Sequence, residues 1–292
     1  MDTRVKSSEF GAGYRSKIAL GKTLSYILLI FLLILCIFPF YILIINATRL
    51  NAEIQSGFTL LPGRALTYNF KNLFSNENLM ILRALWNSIF VSGSTALLTT
   101  YFSAMTAYGI YAYNFKMKGF VFTFIMVIMM VPVQVSTLGF IKLITEMGLM
   151  DTLLPLIIPA IAAPGVFFFM IQYMRSVLPH AIIEAARIDG SNEFRTFNTI
   201  VIPIIKPALA VQAIFSFVAS WNNFFVPALI INSKEKKTIP IVIAQLRSAD
   251  YMKFDLGQVY AMIAVAIIPV LICYLLLSKY IIRGVTLGSV KG

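Results

Sequence analysis

The sequence predicts an all-α integral membrane protein with six transmembrane helices and both termini on one side. Three observations carry this. Hydrophobic residues make up 59% of the 292 and charged residues only 12%, whereas a soluble domain is roughly one-quarter charged, and the mean hydropathy is +0.84. Six charge-free runs occur, at 23–48, 84–115, 119–141, 152–174, 207–233 and 256–278. Each covers the roughly 20 residues a helix needs to cross the hydrocarbon. An ionised side chain at the bilayer centre costs roughly 2.5–3.5 kcal/mol, so these runs mark spans better than averages do. Finally, about 14 of the 24 basic residues fall in segments that an even number of spans places on the side of the N-terminus.

The chain begins with a basic tail over 1–22 (Arg4, Lys6, Arg15, Lys17, Lys22). The apolar stretch behind it is too long for a cleavable signal-peptide core and reads as the first span, about 23–46. Asn46-Ala47-Thr48 spells a glycosylation acceptor at its end, a three-residue match common by chance. Residues 49–82 form an outside loop with a Pro62-Gly63 turn and an apolar stretch leading to Trp86 at the interface. Span two runs over about 84–112, and Lys116 and Lys118 mark the turn before span three, 119–143. Pro132 and Pro164 interrupt spans three and four, the latter at 152–174. Each removes a backbone hydrogen bond and bends or breaks its helix, which neighbouring helices or a water-lined cavity can satisfy; a central pathway and a static packing kink both remain open. Span five is expected at 208–231 and span six at 257–280, closing a transmembrane domain of 23–282 before a tail at 283–292. Between them, 232–255 mixes Lys234-Glu235-Lys236-Lys237 with Ile239-Pro240-Ile241-Val242-Ile243, an extended piece or a helix lying along the surface.

Charge narrows the function. The positive-inside preference places the N-terminal tail, Lys116 and Lys118, Arg175, Arg187, Arg195, Lys206, and the C-terminal tail (Lys279, Arg283, Lys291) in the cytoplasm. A net charge of +12 suits anionic lipid headgroups, and no nucleic-acid motif accompanies it. No Asp, Glu, Lys, Arg or His lies near the middle of a span, whereas an ion-coupled carrier needs an intramembrane ionisable group. The one histidine, His180, has no metal cluster or nucleophile around it in sequence, which disfavours a membrane-embedded enzyme. Cys36 and Cys273 lie inside spans without metal-ligand spacing and read as small packing residues. Among the polar residues of the spans, Gln134, Asn222 and Asn223 are the candidates for contacting a solute; helix bridging competes as a role for each.

The polar island at 184–203 is the remaining handle. Pro179 starts a short helix whose apolar residues Ile182, Ile183, Ala185, Ala186 and Ile188 surround only Glu184 and Arg187, so it needs a groove. Gly190 suits the position that ends a helix at positive φ, and Asp189 or Ser191 can cap the next turn. A second short helix follows, and Pro203 and Pro207 are expected to break the run before span five, leaving rigid joints on both sides. A push on this element would move spans four and five together.

Here the residues carry a resemblance. Glu184-Ala185-Ala186, three residues, Gly190, nine residues, then Ile200-x-Ile202-Pro203 resembles the coupling loop (EAA motif) of permease subunits of binding-protein-dependent ATP-binding-cassette importers, with Ile202 where Leu is usual. Ile188-Asp189-Gly190-Ser191, Lys206-Pro207-Ala208-Leu209-Ala210, Trp221-Asn222-Asn223-Phe224, Leu85-Trp86-Asn87-Ser88 and Lys291-Gly292 after Gly284-Val285-Thr286-Leu287-Gly288 resemble the carbohydrate branch, the second permease of maltose-type systems. The resemblance spans about residues 24–292. It implies a type I importer permease fold, with the 181–190 helix inserting into a cleft of a cytoplasmic ATPase. Glu184, Ala185, Ala186 and Gly190 would be signature positions, Arg187 and Asp189 polar contacts, and Pro203 part of the same motif. Implied partners are a second permease, two ATPase subunits and an extracytoplasmic solute-binding protein, in a bacterial or archaeal plasma membrane. ATP and Mg would be used by the ATPases; this chain contains no G-x-x-x-x-G-K-[ST] loop and no cofactor is expected on it.

Overall fold

The computed structural model describes residues 4–248 and 255–288, with side chains over 21–247 and 255–279. Lys291-Gly292, part of the resemblance, lie outside the described residues. In order, the helices are α1 (Arg4–Ala47), α2 (Asn51–Gln55), α3 (Leu66–Ser75), α4 (Ile81–Ala112), α5 (Lys118–Met129), α6 (Val133–Glu146), α7 (Leu154–Ile157), α8 (Pro164–Val177), α9 (His180–Ile188), α10 (Glu193–Thr196), α11 (Ile202–Trp221), α12 (Phe225–Ile230), α13 (Ile239–Ser248) and α14 (Leu256–Gly288). No strand occurs among the described residues. Five helical stretches are long and apolar enough to cross a membrane: Gly21–Ala47, Ile81–Ala112, Leu154–Val177, Glu193–Trp221 and Leu256–Lys279. A sixth span is present if α5 and α6, bent by 96° at their junction, are taken together.

The chain divides into two compact units, one of residues up to Phe70 with Asp255–Ala264, the other of Lys71–Phe254 and Val265 onward. In the first, polar side chains tie the end of α1 to α2 and α3. Arg49, 7% exposed, donates to Asn46 Oδ1 at 3.2 Å and to the carbonyls of Gly57 (3.0 Å) and Glu53. Asn46 of the apparent glycosylation triplet is therefore a buried structural acceptor. The fully buried Asn69 donates to the carbonyls of Ala47 and Arg49, both at 2.9 Å. Gly257 packs so closely here that a Cβ would lie 2.7 Å from the Arg49 carbonyl, leaving glycine as the residue that fits. Cys36 is exposed within the chain, so it packs against none of the chain's own core.

In the second unit α4 packs chiefly on α11 and α8, through a core that includes Ala104, Ala107, Phe167, Met170, Ile205 and Ala208. The small residues of α4 allow this close approach, Ser92 and Ala96 among them. Pro132 ends the α5 segment sharply, at the 96° turn. Pro164 opens α8 after an irregular stretch at Ala162 and Ala163. The carbonyls exposed near that break are met by hydroxyls of α4: Thr95 donates to Leu156 at 3.4 Å, Thr99 to Ala160 at 3.0 Å and Ser103 to Ala163 at 3.4 Å. Such an arrangement is what lets a broken helix exist at membrane depth.

Pro203 and Pro207 do not break the run, contrary to the sequence expectation. Glu193 to Trp221 is one continuous helix of 29 residues. A π turn over Phe197–Val201 precedes Pro203, with the Ile202 amide donating to the Phe197 carbonyl. Widening the helix there makes room where the proline ring would meet the carbonyl four residues back, Thr199. The second short helix is thus the first turn of a long one. Span five also ends earlier than expected: α11 stops at Trp221, and Asn222–Phe224 separate it from the short α12.

Of the two forms left open for 239–243, a helix, α13, is found. The loop leading into it is held by buried groups of α4. Asn87 Nδ2 donates to the carbonyls of Glu235 (2.8 Å) and Lys237 (3.0 Å), and Ser88 Oγ accepts from the Ile239 amide at 2.8 Å. Asp151 clasps the same loop, accepting from the amides of Asn232 and Ser233, each at 2.9 Å, and from the Ser233 hydroxyl. The Ser233 hydroxyl, these amides and Lys236 hold its carboxyl well below the usual carboxylate range.

Candidate functional site

The site is built on α9. Pro179 precedes its first residue with extended backbone (ψ 134°), the geometry that presets a helix start. Apolar residues three apart, Ile183 at 1% and Ala186 at 5% exposed, pack inward. Burying an Ile side chain contributes roughly 1.5–3 kcal/mol, which anchors this short helix. Gly190 has φ +74°. The Ser191 amide donates to the Ala186 carbonyl and the Gly190 amide to Arg187, both at 3.0 Å, the paired bonds of a Schellman ending. Neither Asp189 nor Ser191 caps the next helix: Asn192 does, its Oδ1 accepting from the Arg195 amide at 2.8 Å. Asn192 sits one residue before the first acidic turn, where the side-chain oxygen reaches the third amide; Ser191 is spent on a 2.9 Å bond from Thr196.

The polar residues divide into two groups. Glu184, Ala185, Asp189 and Gly190 are exposed, beside an exposed apolar surface of Ile182, Ile188 (86%) and Phe194 (67%). Arg187, by contrast, turns back onto its own chain. Its Nε lies 2.7 Å from Glu193 Oε1, its guanidinium sits 4.9 Å above the Tyr113 ring, and Nη2 reaches the Ala112 carbonyl at 3.5 Å. Hydrogen bonding to Glu193 holds the guanidinium even more firmly protonated than usual. Glu193 also accepts from Tyr108 Oη at 2.6 Å. One turn on, Tyr111 stacks on His180 at 4.3 Å and donates to the Leu178 carbonyl. Pro203 lies within the continuous helix, beyond the π turn whose Phe197 packs against Tyr108 at 5.5 Å. The sequence reading missed Glu193, Tyr108 and Tyr111. The available signal was the tyrosines at 101, 108 and 111 along one end of α4; their partners lie 97, 85 and 67 residues away.

The solute candidates separate. Asn223 lines an open cavity of about 300 Å³ with Ser136, Thr137, Phe140, Pro159 and Val226, beside the α5–α6 break. Gln134 and Asn222 are exposed nearby in sequence but outside that lining. Among the described residues no group of His, Cys, Asp and Glu is placed to hold a metal ion.

Residues 100–287 match the family described as binding-protein-dependent transport system inner membrane component. The chain is 33% identical over 264 residues, 89% of its length and 92% of the relative's, to the arabinooligosaccharides transport system permease protein AraQ of Bacillus subtilis (strain 168). It is 28% identical over 257 residues, 88% and 92% of the two chains, to the lactose transport system permease protein LacG of Rhizobium radiobacter. A similar match, 28% over 269 residues (89% and 94%), is to the sn-glycerol-3-phosphate transport system permease protein UgpE of Brucella abortus (strain 2308). Among solved structures, a chain of a bacterial ABC transporter involved in the import of the acidic polysaccharide alginate has a TM-score of 0.75 at 21% identity, over 91% of this chain and 98% of that one. At that identity the likeness is one of fold.

Proposed function

The chain belongs to the family of binding-protein-dependent transport system inner membrane components, as a multi-pass membrane protein, and from that premise we propose that it is the membrane-spanning subunit of an ATP-driven carbohydrate importer in a bacterial or archaeal plasma membrane. Relatives named for arabinooligosaccharides and lactose support the substrate class. Its partners are a second permease, two cytoplasmic ATPase subunits that use ATP and Mg, and an extracytoplasmic solute-binding protein. This chain performs no catalysis of its own.

The observation that carries the coupling role is α9, a short helix with a buried apolar face, a glycine-closed end and an exposed face of Ile182, Glu184, Ala185 and Ile188. That outer face enters the ATPase cleft, with Glu184 and Asp189 at its polar margin. Gly190 lets the chain turn back into α10 without a side chain under the ATPase. Arg187 acts within the permease: it ties α9 to Glu193, and through Glu193 to Tyr108 of α4. Because α10 continues without a break through Pro203 into α11, displacement of α9 is passed to a membrane-spanning helix rather than absorbed in a loop. Asn223, with its neighbour Asn222, and Gln134, which follows the cavity-lining Val133, contribute to the solute path.

Glu184→Lys tests the coupling role. Its side chain is exposed, so the permease still assembles and co-purifies with its partners, while transport and binding-protein-stimulated ATP hydrolysis are lost. Full activity of an assembled Glu184→Lys complex sinks the coupling role. Mass spectrometry of the ligand carried by the co-purifying solute-binding protein tests the substrate class; an amino acid, peptide or metal ion there contradicts a carbohydrate.

A further inference from the structure

Beside Asn223, and separate from the open cavity, lies a small space of about 20 Å³, walled by Ser88, Ser92, Ser220, Asn223 and Thr238 with apolar residues between them. Ser92 and Thr238 are 1% and 4% exposed, and neither hydroxyl has a hydrogen-bond partner within the chain. Thr238 stands immediately before α13, where a threonine hydroxyl ordinarily caps the first turn. It does not cap: Pro240, the second residue of α13, has no N–H to offer and the Thr238 hydroxyl bonds to nothing in the chain, while the Ile239 amide is held by Ser88 Oγ at 2.8 Å. Having accepted that bond, Ser88 still has its own hydroxyl proton to donate.

Two buried hydroxyls facing one space, with a third able to donate into it, match the coordination of a water molecule. Such a site needs roughly 10–15 Å³ and two to four polar partners. The volume admits one water and nothing larger, and the walls carry no carboxylate that would favour a cation. We propose that this space holds one ordered water, bridging α4 through Ser88 and Ser92 to the start of α13 through Thr238, against the end of α11 at Ser220 and Asn223 just beyond it. The water completes the anchoring of the 232–239 loop that Asn87 and Ser88 begin, and it backs the residue that also borders the open cavity.

The sign of a stability change decides the matter. In the purified complex, Ser92→Ala and the isosteric Thr238→Val each remove one partner of the water, and each lowers the Tm by roughly 2–4 °C. The double variant falls by less than the sum, because both lose the same molecule. Density for a water within hydrogen-bond reach of Ser88, Ser92 and Thr238 in an experimental structure of the complex is the second expected result. If the space is dry, deleting an orphaned hydroxyl relieves a buried polar group, so an unchanged or raised Tm overturns the proposal, as does a well-ordered structure without that density.

Discussion

At its N-terminal end α4 holds a neighbouring loop by gripping backbone: Asn87 donates to the carbonyls of Glu235 and Lys237, and Ser88 accepts from the Ile239 amide. At its C-terminal end it holds the α9–α10 segment through the tips of long side chains, Tyr108 on Glu193, Tyr111 stacked on His180 with its hydroxyl on the Leu178 carbonyl, and Arg187 reaching back to the Ala112 carbonyl. The first arrangement fixes a loop residue by residue. The second fixes a small helix as a body, whose attachments can tilt without being re-paired. Asp151 adds to the contrast, since its carboxylate collects amides of consecutive residues, Asn232 and Ser233. Under the proposed function, the end that must pass on ATPase movement is the one built on side-chain tips.

The contrast can be broken at several points. Gly190→Val should have the largest effect, because a β-branched residue at φ +74° is strained by on the order of 1–3 kcal/mol. Expected is a loss of stimulated ATP hydrolysis of roughly 10-fold or more, out of proportion to a Tm fall no larger than the one Asn87→Ala gives; a loss of hydrolysis that merely follows the Tm would erase the distinction between the two ends. Asn87→Ala should do the reverse, destabilising by about 1–3 kcal/mol through two unpaired carbonyls, read as a lower Tm with the ratio of transport to ATP hydrolysis preserved.

Smaller effects sharpen the picture. The Arg187–Glu193 pair has side chains 37% and 36% exposed, so the ion pair itself contributes only about 0–1 kcal/mol. Glu193→Gln, which keeps an acceptor for Tyr108, should therefore cost less coupling than Glu193→Ala, and a double-mutant cycle with Arg187→Met should show non-additivity in the coupling ratio. Last comes pH. Asp151 has a carboxyl pKa below its unfolded value, so its stabilising contribution is complete above the ordinary carboxylate pKa, about 3.9, and is lost as pH falls through the depressed folded value. Thermal melts should show no contribution to the slope from this group between pH 5 and 8 and a fall on strong acidification that Asp151→Asn flattens.

Much of the fold was legible in the charge pattern, and so was the outline of the α9–α10 segment. Pro132 announced the α5–α6 bend, Pro179 and Gly190 bracketed α9, and the charge-free runs located the apolar helices. Pro203 misled because a proline's effect depends on the turn before it, and the π turn at Phe197–Val201 has no sequence mark. The end of α11 at Trp221 was hidden for another reason: Asn222 and Asn223 are uncharged, so the run that marks span five passes straight through them. Glu193 was obscured as one charge among several in a polar loop, its role set by Tyr108 far away in the chain. The family resemblance supplied what periodicity did not, and it named Arg187 as a polar contact without showing that its guanidinium also pairs with Glu193.

Thr95, Thr99 and Ser103 are spaced four apart on α4 and serve the carbonyls of Leu156, Ala160 and Ala163. This is a rail of borrowed donors. A helix that completes its hydrogen bonds internally can slip past a neighbour at little polar cost, but a stretch that borrows them cannot. Shifting it by a single turn, about 5.4 Å, would part those carbonyls from all three of their α4 donors. The α4 and α7–α8 segments are therefore held in axial register, and under the proposed function a change of access between the two faces of the membrane comes from turning them together as a pair.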